Sequence, residues 1–395
     1  MNAHKQPDRG DAAKPEAHDV FGQVRDKLLS DYYDPGKVKD AVAHFYRKGK
    51  SSEQAATELA KSLHDPWTEF QSKNELARID RDYASGMRES GIWISPKTSG
   101  YPEVQAVLKG YSAYDTPVRA GDRIVSVNGT DCFNKDEPAV EKMMTAQIGS
   151  SLKVEFQTPD GQRIMTEFQV RETEQQKASA QVIVGPKGEK ILYATLPEFQ
   201  LASMNEFDDA IDKVLKENPD SNMPMILNLR GNTGGSIKSE LYFASEFERD
   251  GVALKRVMRD GKGVAKSDLP VYQLPDGDGS PDGQRVKYLR DARVVVLIDD
   301  ASRSAAEGVT MSLADHGRLT AIVGHKSFGK GRFYDDFTIG GGHLRESIGM
   351  LLSPTGKNWD GEGIYPTISV ERNRDPKAQD DQLNAAIAAL ENAPH

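Results

Sequence analysis

The amino-acid sequence predicts an α/β protein, and three patterns support that prediction. Val294–Ile298 is a continuous apolar run, rich in β-branched residues, as expected of a strand covered on both faces. From Gln181 onward, strand-like and helix-like segments alternate, which is typical of a sheet with helical crossovers. Near the start, Val20–Leu29, Val38–Tyr46 and Ser52–Leu63 repeat apolar residues at helical spacing, so we expect a helical region before the sheet.

Composition narrows the classes of function. The 395 residues carry a formal net charge of −9 and no basic stripe, which argues against nucleic acid as a partner. The single cysteine, Cys132, excludes an intrachain disulfide framework and any CxxC motif. The eight histidines show no HExxH spacing, so neither a metal nor a cofactor is predicted. No apolar segment approaches the length of a membrane span.

The first part of the chain divides into a polar lead and a helical region. Residues 1–18 are rich in Lys, Asp, Pro and Ala, and we expect them to be a disordered lead. They contain no apolar stretch of the kind that marks a signal peptide, so the sequence as written predicts none. Residues 19–84 form the predicted helical N-terminal region.

Residues 85–172 predict a small β-rich domain. Gly91–Ile94 is a short alternating strand, and Arg123–Val127 is a second strand that ends in the tight-turn pair Asn128-Gly129. The remaining predicted elements are the helix Pro138–Ala146 and a hairpin built from Leu152–Phe156 and Ile164–Val170.

Residues 173–374 predict the main α/β domain. The strand Pro224–Leu229 runs into a glycine-rich turn, Gly231–Gly235, and then into the helix Ser236–Phe247. A phosphate cradle begins in the same way, but the P-loop lysine is missing. The charged, Gly-, Asp- and Pro-rich segment 251–284 predicts a surface excursion at the edge of a cleft. Residues 375–395 are the predicted C-terminal helix and tail.

The segment after Val294–Ile298 carries the candidate chemistry. A polar turn leads to Ser304 at the start of a predicted helix, and a second apolar run leads to Lys330 between two glycines. A serine beside a lysine can form a catalytic pair in which the lysine is the base that activates the serine nucleophile. Two plainer interpretations remain open here, because Ser304–Glu307 fits the S-x-x-E capping box and a lysine between glycines is common in exposed turns.

Three motifs in this region resemble those of the C-terminal processing (tail-specific) proteases, the serine peptidases of family S41 that carry a PDZ domain. They are Ser302–Glu307 (SRSAAE), Asp315–Arg318 (DHGR) and Phe328–Gly331 (FGKG), in the family's order. The glycine-rich turn and the ending Ser353–Pro366 are also similar, and the resemblance spans roughly Leu63–Pro366. It implies a crotonase/ClpP-like protease core with an inserted PDZ domain.

The resemblance also implies roles for individual residues. The nucleophile falls on Ser304 and the general base on Lys330, which must be neutral to accept a proton; the rate is then expected to rise with pH. Either Gly234 or Gly235, with the backbone amide of Ala305, would form the oxyanion hole. Tyr334 stands where many family members carry a glutamine beside the base.

A second departure is Asn228, which replaces an aspartate before the glycine-rich turn. Glu307 is expected to be structural, and Asp315 to cap its helix or pair with Arg318 or another arginine. His316 and His343 invite a Ser–His–Asp interpretation, although the chain has no G-x-S-x-G elbow.

The segment Ala120–Gly129 resembles a characteristic stretch of PDZ domains. PDZ domains bind the C-terminus of a peptide as an added strand, and Gly91, Ile92, Trp93 and Ile94 are the predicted receptor. The expected function is therefore a serine endopeptidase that selects proteins by apolar C-termini, with an adaptor or activator and a homo-oligomer as possible further partners. The resemblance implies an extracytoplasmic compartment (periplasm or cell envelope), but the sequence as written predicts no signal peptide, so a cytoplasmic protein stays open as the alternative.

Two alternatives have to be kept beside this prediction. The first is a catalytically weak or inactive scaffold that binds protein C-termini, or whose PDZ-like module only packs against the core. The second is acyl-CoA chemistry on a crotonase-type core, which would need neither the Ser–Lys pair nor a PDZ domain.

Overall fold

The computed structural model describes residues 19–45, 49–95, 99–219, 222–259, 264–270 and 281–393. The predicted disordered lead, 1–18, lies outside these residues, as do parts of the predicted surface excursion. The helices are α1 Val20–Asp31, α2 Pro35–His44, α3 Ser52–Lys61, α4 Lys73–Ala84, α5 Glu137–Met143, α6 Leu201–Glu217, α7 Ile237–Phe247, α8 Pro281–Asp291, α9 Ala305–Asp315 and α10 Asp381–Asn392.

The strands are short in the first half of the chain and longer in the second. They are β1 Glu69–Gln71, β2 Met87–Glu89, β3 Ile92–Ile94, β4 Val104–Val107, β5 Arg123–Val127, β6 Thr130–Asp131, β7 Thr145–Gln147, β8 Ser151–Gln157, β9 Arg163–Gln169, β10 Ser179–Val184, β11 Lys190–Thr195, β12 Met225–Asn228, β13 Val252–Arg259, β14 Val264–Pro270, β15 Val294–Ile298, β16 Leu319–Gly324, β17 Arg332–Ile339, β18 Gly342–Leu352 and β19 Ile368–Ser369.

The described chain divides into two compact units. The first contains the described residues up to Ile79 together with Tyr334–Ile348, and the second contains the rest. In the first unit, helices α1 to α3 lie where the helical periodicity predicts them. Each begins at a side-chain cap, and Ser51 and Gln54 form a complete capping box at α3.

The core of the first unit joins residues that are far apart in sequence. Val24, Leu28 and Leu59 are fully buried between the helices. Phe70 of β1 pairs antiparallel with Leu344 of β18, and both side chains pack into the same cluster. The residues from 334 to 348 therefore complete a core that is otherwise built from the start of the chain.

The second unit is centred on a six-stranded sheet of order β10-β11-β12-β15-β16-β19, parallel except for β10. Strand β15 lies inside it, and its side chains alternate between two apolar clusters. Val294, Val296 and Ile298 face the cluster that contains residues of α6, α7 and α9. Val295 and Leu297 face α10. Burial on both faces explains the continuous apolar run of this strand.

Part of the predicted surface excursion is instead sheet. Strands β13 and β14 form an antiparallel pair, and β13 also pairs with residues 349–352 of β18. Ala253 and Leu254 of β13 are buried in the main core. These few apolar residues anchor a strand whose charged neighbours made the segment resemble a loop.

Residues 85–172 form a small β-rich module with its own core. Its sheets have the orders β6-β5-β8-β9, β3-β4 and β2-β7. Ile92, Ile94, Ile124 and Phe156 are among the residues buried in its core. The backbone of Asn128 and Gly129 has positive φ angles of 49° and 78°, as the predicted tight turn requires. The assignment of this module as a PDZ domain remains a prediction.

Candidate active site

Two loops at the carboxyl ends of β12 and β15 are joined by hydrogen bonds. The Oδ1 atom of Asp299 accepts the backbone amides of Gly231, Ala301 and Ser302 at 2.8 to 3.2 Å. The Ser302 hydroxyl donates to the Leu229 carbonyl at 2.8 Å. Since Asp299 and Ser302 are both buried, these bonds hold the glycine-rich turn against the segment that leads to Ser304.

Ser304 occupies an unusual backbone conformation. It is the residue before α9, with φ 57° and ψ −119°, and it is half-buried. A non-glycine residue in such a region carries strain of order 1–3 kcal/mol, and such strain concentrates at functional sites. The position is also at the N-terminus of a helix, where the helix dipole favours negative charge. Both properties suit a nucleophile whose reaction generates an anion.

Lys330 lies in a loop that glycines allow to pack closely. Its side chain is buried, with 7% exposed, and its carbonyl accepts the Trp359 indole N–H at 3.2 Å. A Cβ atom on Gly329 would lie 2.8 Å from the Gly363 backbone nitrogen, and Gly329 has a φ of 96°. The glycine before Lys330 is therefore required by a tight approach between two loops, and the FGKG segment is no exposed turn.

The Glu307 carboxylate connects the loop of Lys330 to Ser304. Its Oε2 atom accepts the backbone amides of Ser304 at 2.9 Å and Lys330 at 2.8 Å. Its Oε1 atom accepts the Ser327 hydroxyl at 2.6 Å and the Gly329 amide at 2.7 Å. Burial raises the pKa of Glu307 to about 7, while these hydrogen bonds favour the charged form. We call this arrangement the Glu307 clamp.

Sequence reasoning found only part of the clamp. The S-x-x-E pattern predicts the contact between the Glu307 side chain and the Ser304 amide. The contacts to Ser327, Gly329 and Lys330 span more than 19 residues of sequence and leave no local signal. These contacts agree with the expectation that Glu307 is structural, and they show that the same carboxylate orders the backbone of both candidate catalytic residues.

The glycine-rich turn lies directly against Ser304. A Cβ atom on Gly234 would come within 2.6 Å of the Ser304 Cβ and 3.1 Å of the Ala305 nitrogen. The Gly234 amide is already used, since it donates to the Asn232 side chain at 2.8 Å. Gly234 is therefore the glycine of this turn that lies against Ser304, and its N–H already donates a hydrogen bond.

Gly235 is exposed and pairs with Phe199 as an isolated parallel bridge. The Phe199 amide donates to the Gly234 carbonyl, and the Ser236 amide donates to the Phe199 carbonyl. In such a bridge the N–H of the central residue, Gly235, points away from its partner. Both Gly234 and Gly235 are predicted for the oxyanion hole. The Gly235 N–H is not used in the bridge to Phe199, whereas the Gly234 N–H donates to Asn232.

Asn228 fills the position of the expected aspartate with a neutral hydrogen-bond network. Its amide nitrogen donates to the hydroxyls of Tyr193 and Thr195, and its Oδ1 accepts Nε of Arg230 at 2.9 Å. Arg230 also binds both carboxylate oxygens of Asp380, at 2.8 and 2.9 Å. Asp380 supplies the negative charge that pairs with Arg230. Arg230 therefore has an ion-pair partner even though residue 228 is an asparagine and not the expected aspartate.

Asp315 anchors the other end of α9. Its carboxylate accepts hydrogen bonds from Ser353, Thr355 and Lys357, the last at 3.1 Å. Although partial burial opposes the shift, these bonds lower the pKa of Asp315 to about 2. The ion-pair partner is Lys357 and not the expected Arg318, which instead donates to backbone carbonyls of Phe247, Leu289 and Ala292.

The two histidines of the Ser–His–Asp alternative have other partners. His316 caps the C-terminal end of α9, about 18 Å along the helix from Ser304 at 1.5 Å per residue, too far for a hydrogen bond. Its nearest acid is Glu248, at 3.5 Å. His343 belongs to the first unit, where its Nε2 atom lies 3.0 Å from Asp336.

Tyr334 also belongs to the first unit. It lies in β17 and is half-buried, and the Arg345 guanidinium stacks over its ring at 4.3 Å. Its assignment as the residue that replaces the family's glutamine remains a prediction.

The predicted receptor strand of the β-rich module contacts both loops that carry the candidate catalytic residues. Ile92 and Ile94 point into the module's core, and a Cβ on Gly91 would collide with Tyr111. The Trp93 ring packs edge-on against Phe328 at 5.3 Å and beneath the Arg303 guanidinium at 3.6 Å. Arg303 precedes Ser304, and Phe328 is two residues before Lys330. No sequence pattern predicts this contact.

The described residues set two further limits. In the part of the chain that the structure describes, no cluster of three or more His, Cys, Asp or Glu side chains is arranged to hold a metal ion. Of the helices within the same residues, none combines the length and apolar character needed to cross a bilayer.

Comparison with known proteins shows a shared domain and fold. Residues 190–370 match the model of "Peptidase family S41". A probable CtpA-like serine protease of Staphylococcus haemolyticus (strain JCSC1435) is 24% identical over 365 residues, which are 90% of this chain and 67% of the relative. One from Staphylococcus aureus (strain COL) is 25% identical over 87% of this chain and 63% of its own length. The chain thus spans about two thirds of the length of the curated relatives it matches.

Among solved structures, the photosystem II D1 C-terminal processing protease superimposes with a TM-score of 0.70 at 18% identity, covering 93% of this chain and 96% of that one. The predicted α/β fold is thereby confirmed as one that resembles the C-terminal processing proteases. The sequence matches support a serine-type peptidase, as the motifs predict.

Proposed function

Since this chain carries a peptidase family S41 domain, we propose that it is a serine endopeptidase with a Ser304–Lys330 dyad. The observation that carries the proposal is the Glu307 clamp, in which a single carboxylate oxygen accepts the backbone amides of both residues. A strained, half-buried serine and a buried lysine are thereby tied to one buried anchor. If Ser304 only capped helix α9, its backbone would not need a strained conformation. If Lys330 only lay in a turn, its side chain would not need to be buried.

In the proposed reaction the neutral Lys330 amine removes the proton from the Ser304 hydroxyl. The Ser304 oxygen attacks the scissile carbonyl carbon, and the resulting ammonium donates its proton to the departing amine. The acyl-enzyme is then hydrolysed by a water molecule that Lys330 deprotonates. The proposal requires that the buried Lys330 amine be uncharged at the pH where the chain is active.

The oxyanion hole of this proposal uses the backbone amides of Gly235 and Ala305. Ala305 is the first residue of α9, where N–H groups have no partner within the helix. Gly235 is preferred to Gly234 because the Gly234 amide donates to Asn232. Removing one such donor typically costs ~3 kcal/mol of transition-state stabilisation.

Substrate selection is assigned to the β-rich module, residues 85–172, acting as a PDZ domain. Among the described strands, β3 pairs along one edge with β4, so its other edge can accept a C-terminal tail as an added strand. Apolar tails fit this mode through side-chain pockets of the module. An adaptor protein and a homo-oligomer belong to the same proposal.

The test is degradation of an unstructured protein with an apolar C-terminus by the intact chain and by S304A and K330A variants. We expect cleavage to be lost in both variants and kept in K326A, a matched control at a partly exposed lysine of the same loop. The same substrate ending in aspartates should be cleaved more slowly. Tail binding without cleavage by the intact chain would favour the scaffold alternative, in which Asn228 and Tyr334 mark lost activity.

A further inference from the structure

A second buried carboxyl group lies behind the Glu307 clamp. Glu240 on α7 is 1% exposed, and it points at Gly308 on α9. A Cβ atom on Gly308 would lie only 1.6 Å from the Glu240 Oε1 atom, so the Glu240 side chain fills the space that a side chain at residue 308 would occupy. Gly308 directly follows Glu307, which places Glu240 against the turn that carries the clamp.

The surroundings of the two carboxyl groups differ strongly. Glu307 accepts four hydrogen bonds from the Ser304, Ser327, Gly329 and Lys330 positions. Oε1 of Glu240 has no hydrogen-bond partner in the part of the chain that the structure describes. When two buried carboxyls lie close together, the one with donors keeps the charge and the other holds a proton.

The neighbouring groups agree with this division. On α9 the charged group that acts on Glu240 is Glu307, and the apolar side chain of Leu254 on β13 lies beside Gly308. Helix α8 also packs against α7, and the guanidinium of its Arg285 is bound by Asp208, Asp212 and Glu246. Burial, and then the charge of Glu307, raise the pKa of Glu240 well above its usual range.

We propose that Glu240 is a positioning residue for the Ser304–Lys330 dyad, whose neutral carboxyl group supports the α7–α9 contact on which the Glu307 clamp rests. This inference rests on the proposed peptidase function. When Glu240 loses its proton, a second buried negative charge appears beside Glu307, and separating α7 from α9 relieves the repulsion. The clamp then loosens and activity falls at alkaline pH.

The activity test compares the pH profiles of kcat for the intact chain, E240Q and E240A. The wild-type rate should rise with pH as Lys330 becomes neutral and then fall as Glu240 ionises. E240A, which leaves a void beside Gly308, should lower kcat with little change in KM. E240Q cannot ionise, so it should restore most of kcat and show no alkaline decline. An unchanged alkaline limb in E240Q would overturn the proposal.

A control separates this role from general burial of acids. Glu248 ends the same helix, and burial raises its pKa to about 7, but it lies next to His316 at the far end of α9. E248Q should therefore alter thermal stability and leave the alkaline limb of kcat in place. If E248Q also lost the alkaline decline in kcat, that decline would be a general effect of ionising buried acids. This result would contradict a specific role for Glu240.

Stability measurements test the pair even if no substrate is cleaved. A carboxyl whose pKa is raised in the folded state binds its proton more tightly there, so stability falls as pH rises from the unfolded pKa towards the folded one. The difference in Tm between E240Q and wild type should therefore grow from pH 5 to pH 9. Parallel curves would refute the inference independently of the peptidase proposal.

The contact itself is tested by a double-mutant cycle. G308A alone should lower Tm by several degrees, because its methyl group collides with Glu240. The E240A/G308A pair should recover Tm to at least the value of E240A, since the new methyl group enters the space that Glu240 vacates. A G308A protein as stable as wild type, or a pair without recovery, would show that the two side chains do not share this space.

Discussion

At the scale of single residues, the candidate site depends on carboxylates that take no part in the proposed bond-making. Glu307 accepts the backbone amides of Ser304 and Lys330, and Asp299 holds the glycine-rich turn against the segment that leads to Ser304. Both are buried, so each unsatisfied donor left by their removal would cost about 1–3 kcal/mol. The geometry of the proposed dyad therefore depends on side chains that are neither its nucleophile nor its base.

The clamp predicts a specific defect for E307Q. The amide keeps the shape of the carboxylate but turns one acceptor into an N–H donor that faces existing donors. We expect kcat to fall about 10²-fold or more with a smaller change in KM, since misplacement of catalytic groups by about 1 Å has such effects. Steady-state kinetics on a peptide substrate would measure this. An unchanged kcat would reduce the clamp to a purely structural bond.

At the scale of elements, helix α9 is fixed at both ends. Its N-terminal turn is held by the Glu307 clamp, and its C-terminal residue Asp315 is hydrogen-bonded to Ser353, Thr355 and Lys357. Between these ends it packs against α7 through Gly308 and Glu240. A helix held in this way can keep a strained residue at its start, because no end is free to relax.

The C-terminal anchor predicts a pH-dependent loss of stability. The pKa of Asp315 is lowered to about 2 in the folded state, so its stabilising contribution is complete above the unfolded pKa and is lost as pH falls from about 4 to about 2. D315N should lower Tm at pH 7, and its Tm should approach that of wild type near pH 2. Thermal melts across this range would test the expectation, with D381N on the exposed start of α10 as a control.

Much of the second unit could be predicted from the sequence because its signals are local. The apolar run of β15, the helix start at Ser304 and the glycines around Lys330 each reflect contacts that their own segment makes. Charge and glycine content concealed the strand β13, which is buried through only two of its side chains. The pairing of Trp93 with Arg303 joins segments about two hundred residues apart, and no periodicity encodes such a contact.

At the scale of the whole molecule, the first unit is built from two separate stretches of chain. Residues 334–348 pack with the N-terminal helices, and they follow Lys330 in sequence by only four residues. Their insertion means that the N-terminal region is not an appendage that can be removed without consequence. The sequence-based boundaries, with residues 173–374 as one core, did not separate this stretch.

This arrangement predicts the result of a truncation. A chain that begins at Asp80 would leave Ile339 and Leu344 without the helices that bury them, and Leu344 without its strand partner Phe70. We expect such a chain to be poorly soluble and inactive, as measured by gel filtration and peptide cleavage. A chain shortened by residues 1–18, which keeps every described helix, should behave as the full chain does. Full activity from Asp80 onward would contradict the prediction.

At Ser304 the residue that would best stabilise the fold differs from the residue that the proposed reaction needs, because the backbone there is strained. A glycine there would adopt the observed φ of 57° at little cost, so the protein would gain stability as it lost its hydroxyl group. Under the proposed function such a chain would be inactive, because the lost hydroxyl group is the proposed nucleophile. The serine at this position therefore exchanges backbone stability for the group that would attack the substrate.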